Sequence, residues 1–216
     1  MIDISLHAIV DAGSCGPGGL PALARLAAEH GATLVQYRDK TSATRDMIKR
    51  ASAIREALAG TGIPLLVNDR VDVALAAGAD GVHLGRDDMT AATARRLLGP
   101  DAIIGATVKD PADAETALSA PIDYACIGGV FETLSKRNPD APVGLQGFLA
   151  LRERLASGNP KLPVGAIAGI DLFRVPALIA AGADGIAVIS AIFGQRDPAA
   201  ATRALRMAIN AEKARR

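Results

Sequence analysis

Apolar residues along this chain fall into short runs with little alternation, and helix-like stretches separate them. The runs cover roughly 7–10, 33–37, 64–67, 81–84, 102–105, 124–127, 164–167 and 185–189. A run that is apolar at every position suits a strand buried on both faces, as in a parallel sheet. The stretches between and after them, roughly 20–30, 44–59, 71–77, 91–98, 111–118, 145–155, 172–181 and 199–211, are predicted as helices. Strict alternation of strand and helix implies a parallel sheet, and eight such units imply closure. The expected fold is therefore α/β, a single (β/α)8 TIM barrel occupying residues 1–216 as one domain. An open, doubly wound sheet is the alternative, but no glycine-rich dinucleotide fingerprint follows the first strand.

A repeated unit supports the count. Ala27-Ala28-Glu29-His30-Gly31 precedes Thr33-Leu34-Val35, and Ala76-Ala77-Gly78-Ala79-Asp80 precedes Gly81-Val82-His83-Leu84. Ala180-Ala181-Gly182-Ala183-Asp184 then precedes Gly185-Ile186-Ala187-Val188-Ile189. A glycine just past a helix closes it in the left-handed conformation, so each unit reads as a helix handing over to a strand. Residues 131–144 break this rhythm with a long polar stretch that holds Pro139 and Pro142. Long loops in compact domains are usually functional, so this one is read as a lid over the barrel mouth. A tolerated surface insertion is the bland alternative.

Composition narrows the function. Half of the 216 residues are hydrophobic and the formal net charge is +1. Nucleic acid as main partner would call for a basic excess, so any anion site must be a local cluster. The two cysteines, Cys15 and Cys126, lie far apart and in no metal-ligand spacing, and Cys126 reads as core. No apolar stretch is long enough to span a bilayer, and the first ten residues lack a signal-peptide pattern. A cytoplasmic globular protein is expected, with self-association left open.

Barrel enzymes carry their chemistry on the loops that follow the strands. After the second strand come Gln36, Arg38 and Lys40, alternating with Tyr37 and Asp39. Alternate residues of an extended stretch share a face, and two cations with an amide suit a diphosphate. A solvated charged turn is the bland reading. Asn68 and Asp69 follow the third strand, and Asp88 follows the fourth. The two carboxylates suit Mg2+, which takes few protein ligands and completes its shell with phosphate oxygens and water. Each Asp would otherwise cap the helix that follows it. Gly169 and Ser190 end strands seven and eight, the usual barrel phosphate site. His83 reads as a core residue, or as one that supports a ligand-contacting neighbour, more readily than as an acid/base, and His7 and His30 read as structural. No Ser/His/Asp or Cys/His constellation stands out, so the inventory holds anion and metal chemistry without a covalent nucleophile.

These residues resemble the thiamine-phosphate synthase family over nearly the whole chain. The matching stretches are 35–40, 67–72, 78–85 with Asp87-Asp88, 128–136, 166–170 and 182–190. The resemblance implies a transferase that joins a pyrimidine diphosphate to a thiazole phosphate, or to its carboxylated form, with Mg2+. It implies that Gln36, Arg38, Lys40 and Asn68, within the stretch that includes Tyr37 and Asp39, hold the pyrimidine diphosphate. It places Asp69 and Asp88 on Mg2+ and Thr107 on the pyrimidine. It places Thr133, Leu134 and Ser135, with Gly169, Ile189 and Ser190, on the thiazole phosphate. Lys136 reaches the diphosphate from the lid, and Arg38, Lys40 and Lys136 are the implied catalytic cations. The family commonly has Gln at the position of Arg86, Ser at Thr107, Pro at Glu132, Thr at Ser135 and a double glycine at Ala168-Gly169. Three rival readings are kept: a thiazole tautomerase of the same superfamily, a sugar-phosphate epimerase or isomerase, and a non-catalytic phosphate-ligand sensor. The Asp69/Asp88 pair and the Lys40/Lys136 cations argue against the first. The second would need a clear acid/base pair at the mouth.

Overall fold

A computed structural model describes residues 2–15, 19–133 and 141–216. Among these, strands and helices alternate from end to end. Strand β1 (Leu6–Asp11) leads through α1 (Ala12–Cys15) and α2 (Leu20–Glu29) to β2 (Leu34–Arg38). Helix α3 (Thr44–Leu58), β3 (Leu65–Asn68), α4 (Val71–Ala77), β4 (Gly81–Leu84) and α5 (Ala91–Leu98) follow. Then come β5 (Ile103–Val108), α6 (Pro111–Ser119), β6 (Tyr124–Ile127) and α7 (Gly144–Gly158). The described residues end with β7 (Val164–Ile167), α8 (Val175–Ala180), β8 (Gly185–Val188), α9 (Ser190–Phe193) and α10 (Pro198–Lys213). Every strand is parallel to its neighbours in sequence order, and β1 pairs with β8, so the sheet is the expected closed barrel.

Local chemistry accounts for the element ends. Asp110 caps α6 by accepting from the Asp113 N–H at 2.9 Å, and Asp197 caps α10 through the Ala200 N–H at 2.9 Å. Each is followed by a proline in the first turn, where a missing N–H costs nothing. Gly31, Gly78 and Gly182 adopt positive φ past α2, α4 and α8, as the repeat predicts.

Three expectations shift. The helix expected over 172–181 begins at Val175, because Pro176 lacks a donor and fits only a first turn. Helices α1 and α9 were not anticipated, since four residues carry no periodic signal. Strand β5 continues past Gly105 to Val108 and takes Thr107 with it. Glycine normally weakens a strand, but here the Tyr124 ring fills the place of the missing side chain: an added Cβ would lie 2.1 Å from its Cζ.

The core has two layers. Outward-facing strand residues such as Leu6, Ala8, Val35 and Val82 pack under the helices in two large apolar clusters. A smaller cluster of Ile4, Ile9, Leu34, Leu66, Tyr124, Cys126 and Ala187 fills the barrel itself. The Gly-Ala-Asp repeat acquires a structural role. Asp80 accepts from the Leu65 N–H at 2.7 Å, Asp184 from the Val164 N–H at 2.8 Å and Asp123 from the Ile104 N–H at 2.7 Å. Thr33 does the same for Leu6 at 3.1 Å. The residue before each even-numbered strand thus holds the start of the preceding odd-numbered one. Asp184→Ala is expected to lower unfolding stability by about 1–3 kcal/mol, the range for a lost charge-assisted hydrogen bond. Asp184→Asn, which keeps an acceptor, should lose less, and urea denaturation of the two variants checks the order.

Candidate active site

The carboxyl ends of the strands surround a cavity of about 580 Å³. Gln36 and Arg38 of β2, Asn68 of β3 and Thr107 of β5 line one side. Thr133, Gly169, Ile189 and Ser190 line the other, so eight residues read from the sequence meet in one place. Leu134, Ser135 and Lys136 lie outside the described residues, as does half of the expected lid, residues 134–140.

The floor of this cavity is polar and buried. Gln36 Nε2 lies 3.2 Å from His7 Nε2. His83 bridges two hydroxyls, with Nδ1 2.9 Å from the Tyr124 OH and Nε2 2.9 Å from Thr107 Oγ1. Burial, reinforced by nearby His83, holds the His7 pKa well below the usual histidine value, so His7 is neutral at physiological pH. Burial also keeps the Tyr124 phenol protonated. Both ring nitrogens of His83 are engaged, so it orients Thr107 more readily than it carries protons. His7 and Tyr124 were not read as site residues, because strand positions that face inward cannot be told from core without the register.

Charged groups gather on the rim beside the β2 to β4 ends. Asp69 and Asp88 are neighbours, and the Lys40 ammonium contacts the Asp69 carboxylate. Burial first, and then the adjacent Asp69 carboxylate, push the Asp88 pKa up to about 6. Neither Asp caps a helix: the cap positions of α4 and α5 are Arg70 and Thr90. Asp88 instead accepts from the Gly85 N–H at 2.7 Å. Asp69 has a left-handed backbone, φ 62°, which a non-glycine residue adopts only where its surroundings enforce it. Arg38 is held by Asp11, whose other oxygen accepts from the Ser14 N–H at 2.8 Å. Asp11 is 3% exposed at the end of β1 and had no signal in the sequence beyond its charge.

Two residues grouped with the diphosphate site have side chains that point elsewhere. Tyr37 is buried under α3 and donates to Asp39 Oδ2 at 2.9 Å. Asp39 also accepts from the Thr41 and Ser42 N–H groups and from Arg50. Burial alone would raise the Asp39 pKa, but these donors bring it down to about 2. The alternation that puts Gln36 and Arg38 inward puts Tyr37 and Asp39 into the helical layer, where Asp39 ties the turn after β2 to α3. Arg86 does not line the cavity; it pairs with Asp110 and Asp113 at the start of α6.

At the β7 end, Gly169 has φ 64° and a Cβ there would lie 2.2 Å from the Glu132 carbonyl oxygen. Only glycine lets these backbones meet. Ala168 beside it has φ 88°, strained for an alanine. Arg174, missed in the sequence, also lines the cavity and donates through Nη1 to the Gly169 carbonyl.

Residues 6–192 match the family described as Thiamine monophosphate synthase. A thiamine-phosphate synthase of Agrobacterium fabrum is 65% identical over 210 residues, covering 97% of this chain and 96% of its own. One of Chloroflexus aurantiacus is 41% identical over 216 residues, covering 99% and 97%. Among solved structures, a thiamine phosphate pyrophosphorylase from Pyrococcus furiosus superposes with a TM-score of 0.84 at 36% identity, covering 98% of both chains. Among the described residues no helix is long and apolar enough to cross a membrane.

The β7 loop generates a pair of opposite expectations. Gly169→Ala should destroy the approach of Glu132 and lower turnover at least ~10-fold, since sub-ångström misplacement of a site is costly. Ala168→Gly should relieve left-handed strain and raise stability by about 1 kcal/mol, less the added chain entropy. Thermal unfolding and steady-state kinetics of both variants check the pair.

Proposed function

The chain belongs to the thiamine monophosphate synthase family, and we propose that it performs the synthesis by transferring a pyrimidinylmethyl group from diphosphate to a thiazole nitrogen. The C–O bond between the methylene carbon and diphosphate breaks, and its electron pair leaves with the diphosphate. The thiazole nitrogen lone pair then forms the C–N bond, leaving a thiazolium phosphate and free diphosphate. No proton has to move and no protein nucleophile is required. The chain's task is to stabilise the leaving group and align two substrates.

One observation carries this reading: a charged rim of Arg38, Lys40, Asp69 and Asp88 and a backbone seat at Gly169 and Ser190 flank one cavity with a polar floor. The rim suits the diphosphate, and the seat suits the phosphate of the thiazole. Gln36, Asn68 and Thr107 would hold the aminopyrimidine between them over the neutral His7. A neutral floor matters, because a fixed cation there would oppose charge developing at the methylene carbon. Asp69 and Asp88 would hold Mg2+; adjacent carboxylates free of capping duty fit an ion that takes few protein ligands. When bound, Mg2+ supplies neutralisation of the departing diphosphate. Arg38, preset by Asp11, and Lys40 do the same from the protein side. A tautomerase would leave this rim without a task. A reducing, cytoplasmic setting suits the thiols of Cys15 and Cys126.

Purified protein given both substrates should form thiamine phosphate in a Mg2+-dependent way. Absence of product overturns the function, and full activity after chelation overturns the metal role. Asp69→Ala and Asp88→Ala should each lose roughly 10²-fold in kcat, the cost of one preorganised electrostatic group, while circular dichroism stays native. Arg38→Lys should lose at least ~10-fold in kcat/KM for the pyrimidine diphosphate, because an ammonium cannot both satisfy Asp11 and present a fork to phosphate. Wild-type kinetics in this variant would show that the fork makes no bidentate contact.

A further inference from the structure

Arg174 stands in the first turn before α8, next to the loop that ends β7. Its guanidinium donates through Nη1 to the carbonyl of Gly169 and lies 4.5 Å from the centroid of the Phe131 ring. Asp171 is 3.5 Å from Nη1, in a pair whose side chains are 42% and 56% exposed. A pair this exposed is worth little and yields readily to a stronger anion. A guanidinium carries five N–H donors, and among the described residues only the Gly169 carbonyl takes a hydrogen bond from this one.

The charge balance of the cavity gives this position its meaning. Arg38 and Arg174 are the cations among the described lining residues. Arg38 is on β2, already paired with Asp11, and strands β8 and β1 separate it from β7. On the thiazole side, the lining charges other than Arg174 are Glu132 and Asp171, both acidic. Among the described residues, a dianionic phosphate seated at the Gly169 and Ser190 backbone would face these carboxylates with Arg174 as the cation beside it. The guanidinium is anchored one peptide unit from that seat, with its plane steadied by Phe131.

We propose that Arg174 is a specificity-determining residue that binds the phosphate of the second substrate, its charge completing a seat otherwise made of backbone N–H groups and hydroxyls. The proposal rests on the function argued above and deepens it. A cation here selects the phosphorylated thiazole over the free alcohol. It adds nothing to the diphosphate site across the barrel.

Steady-state kinetics of Arg174→Gln and Arg174→Lys, with thiazole phosphate and with the unphosphorylated thiazole alcohol, test it. Gln keeps a donor for the Gly169 carbonyl and loses the charge. Its KM for thiazole phosphate should rise about 10-fold, as expected for a half-exposed charge-assisted contact. The KM for the pyrimidine diphosphate and the activity with the alcohol should stay near wild type, and Lys should fall between the two. Inorganic phosphate, as a competitor against thiazole phosphate, should inhibit the Gln variant correspondingly less. If Gln restores the wild-type KM, Arg174 serves only to hold the loop and the proposal is overturned. Equal losses with phosphate and alcohol, or a loss confined to the carboxylated thiazole, overturn it as well. Should Arg174→Gln fail to fold, the Lys variant's KM and phosphate inhibition decide alone: wild-type values for both overturn the proposal. Product formation by the wild-type chain tests the function separately.

Discussion

Closure of eight parallel strands is the constraint on which the rest depends. It sends every carboxyl end to one rim and leaves an interior only wide enough for side chains. Space inside is so limited that glycine becomes structural where strands cross closely. A Cβ at Gly81 or Gly185 would lie 1.8 Å from the carbonyl oxygen of Ile103 or Ile4, on the neighbouring chain segment. The same shortage turns Gly105 into the socket for Tyr124, whose hydroxyl in turn fixes His83. Packing and site chemistry are therefore one arrangement: the apolar filling below supports the polar floor above.

Cations of the site are not left loose. Arg38 is paired with Asp11 and Lys40 with Asp69, while Arg174 rests on a carbonyl and an aromatic face. Side chains held in advance lose less freedom when a ligand arrives, which favours electrostatic catalysis. The net charge of +1 is compatible with binding anions because positive groups are concentrated locally at the rim, each beside a counter-charge.

Departures from the family pattern acquire local explanations. Arg86 turns away from the cavity to Asp110 and Asp113, so its charge ties the β4 loop to α6. Ala168 occupies a backbone position suited to glycine and carries strain where the β7 loop lines the cavity. Glu132 contributes its carbonyl to the contact over Gly169, a backbone role compatible with many side chains.

Eight apolar runs, the helix-ending glycines and the strand-end polar residues were enough to read the barrel, and eight residues that line its cavity, from the sequence. Those signals are local: a buried strand is apolar throughout, a left-handed turn needs glycine, and parallel closure puts each strand end on one face. Tertiary structure alone decided which of several charged neighbours faces the cavity. Gln36 and Arg38 turn inward while Tyr37 and Asp39 turn out, since the pleat alternates and its phase is set by pairing with β1 and β3. Asp11, His7, Tyr124 and Arg174 join the site through partners that are distant along the chain or through a turn whose path follows from closure. Even the Asp of the Gly-Ala-Asp repeat, plain in the sequence as a pattern, obtained its purpose only in space. Its hydrogen bond reaches back to the start of the preceding strand, a contact that exists only once the two strands lie side by side.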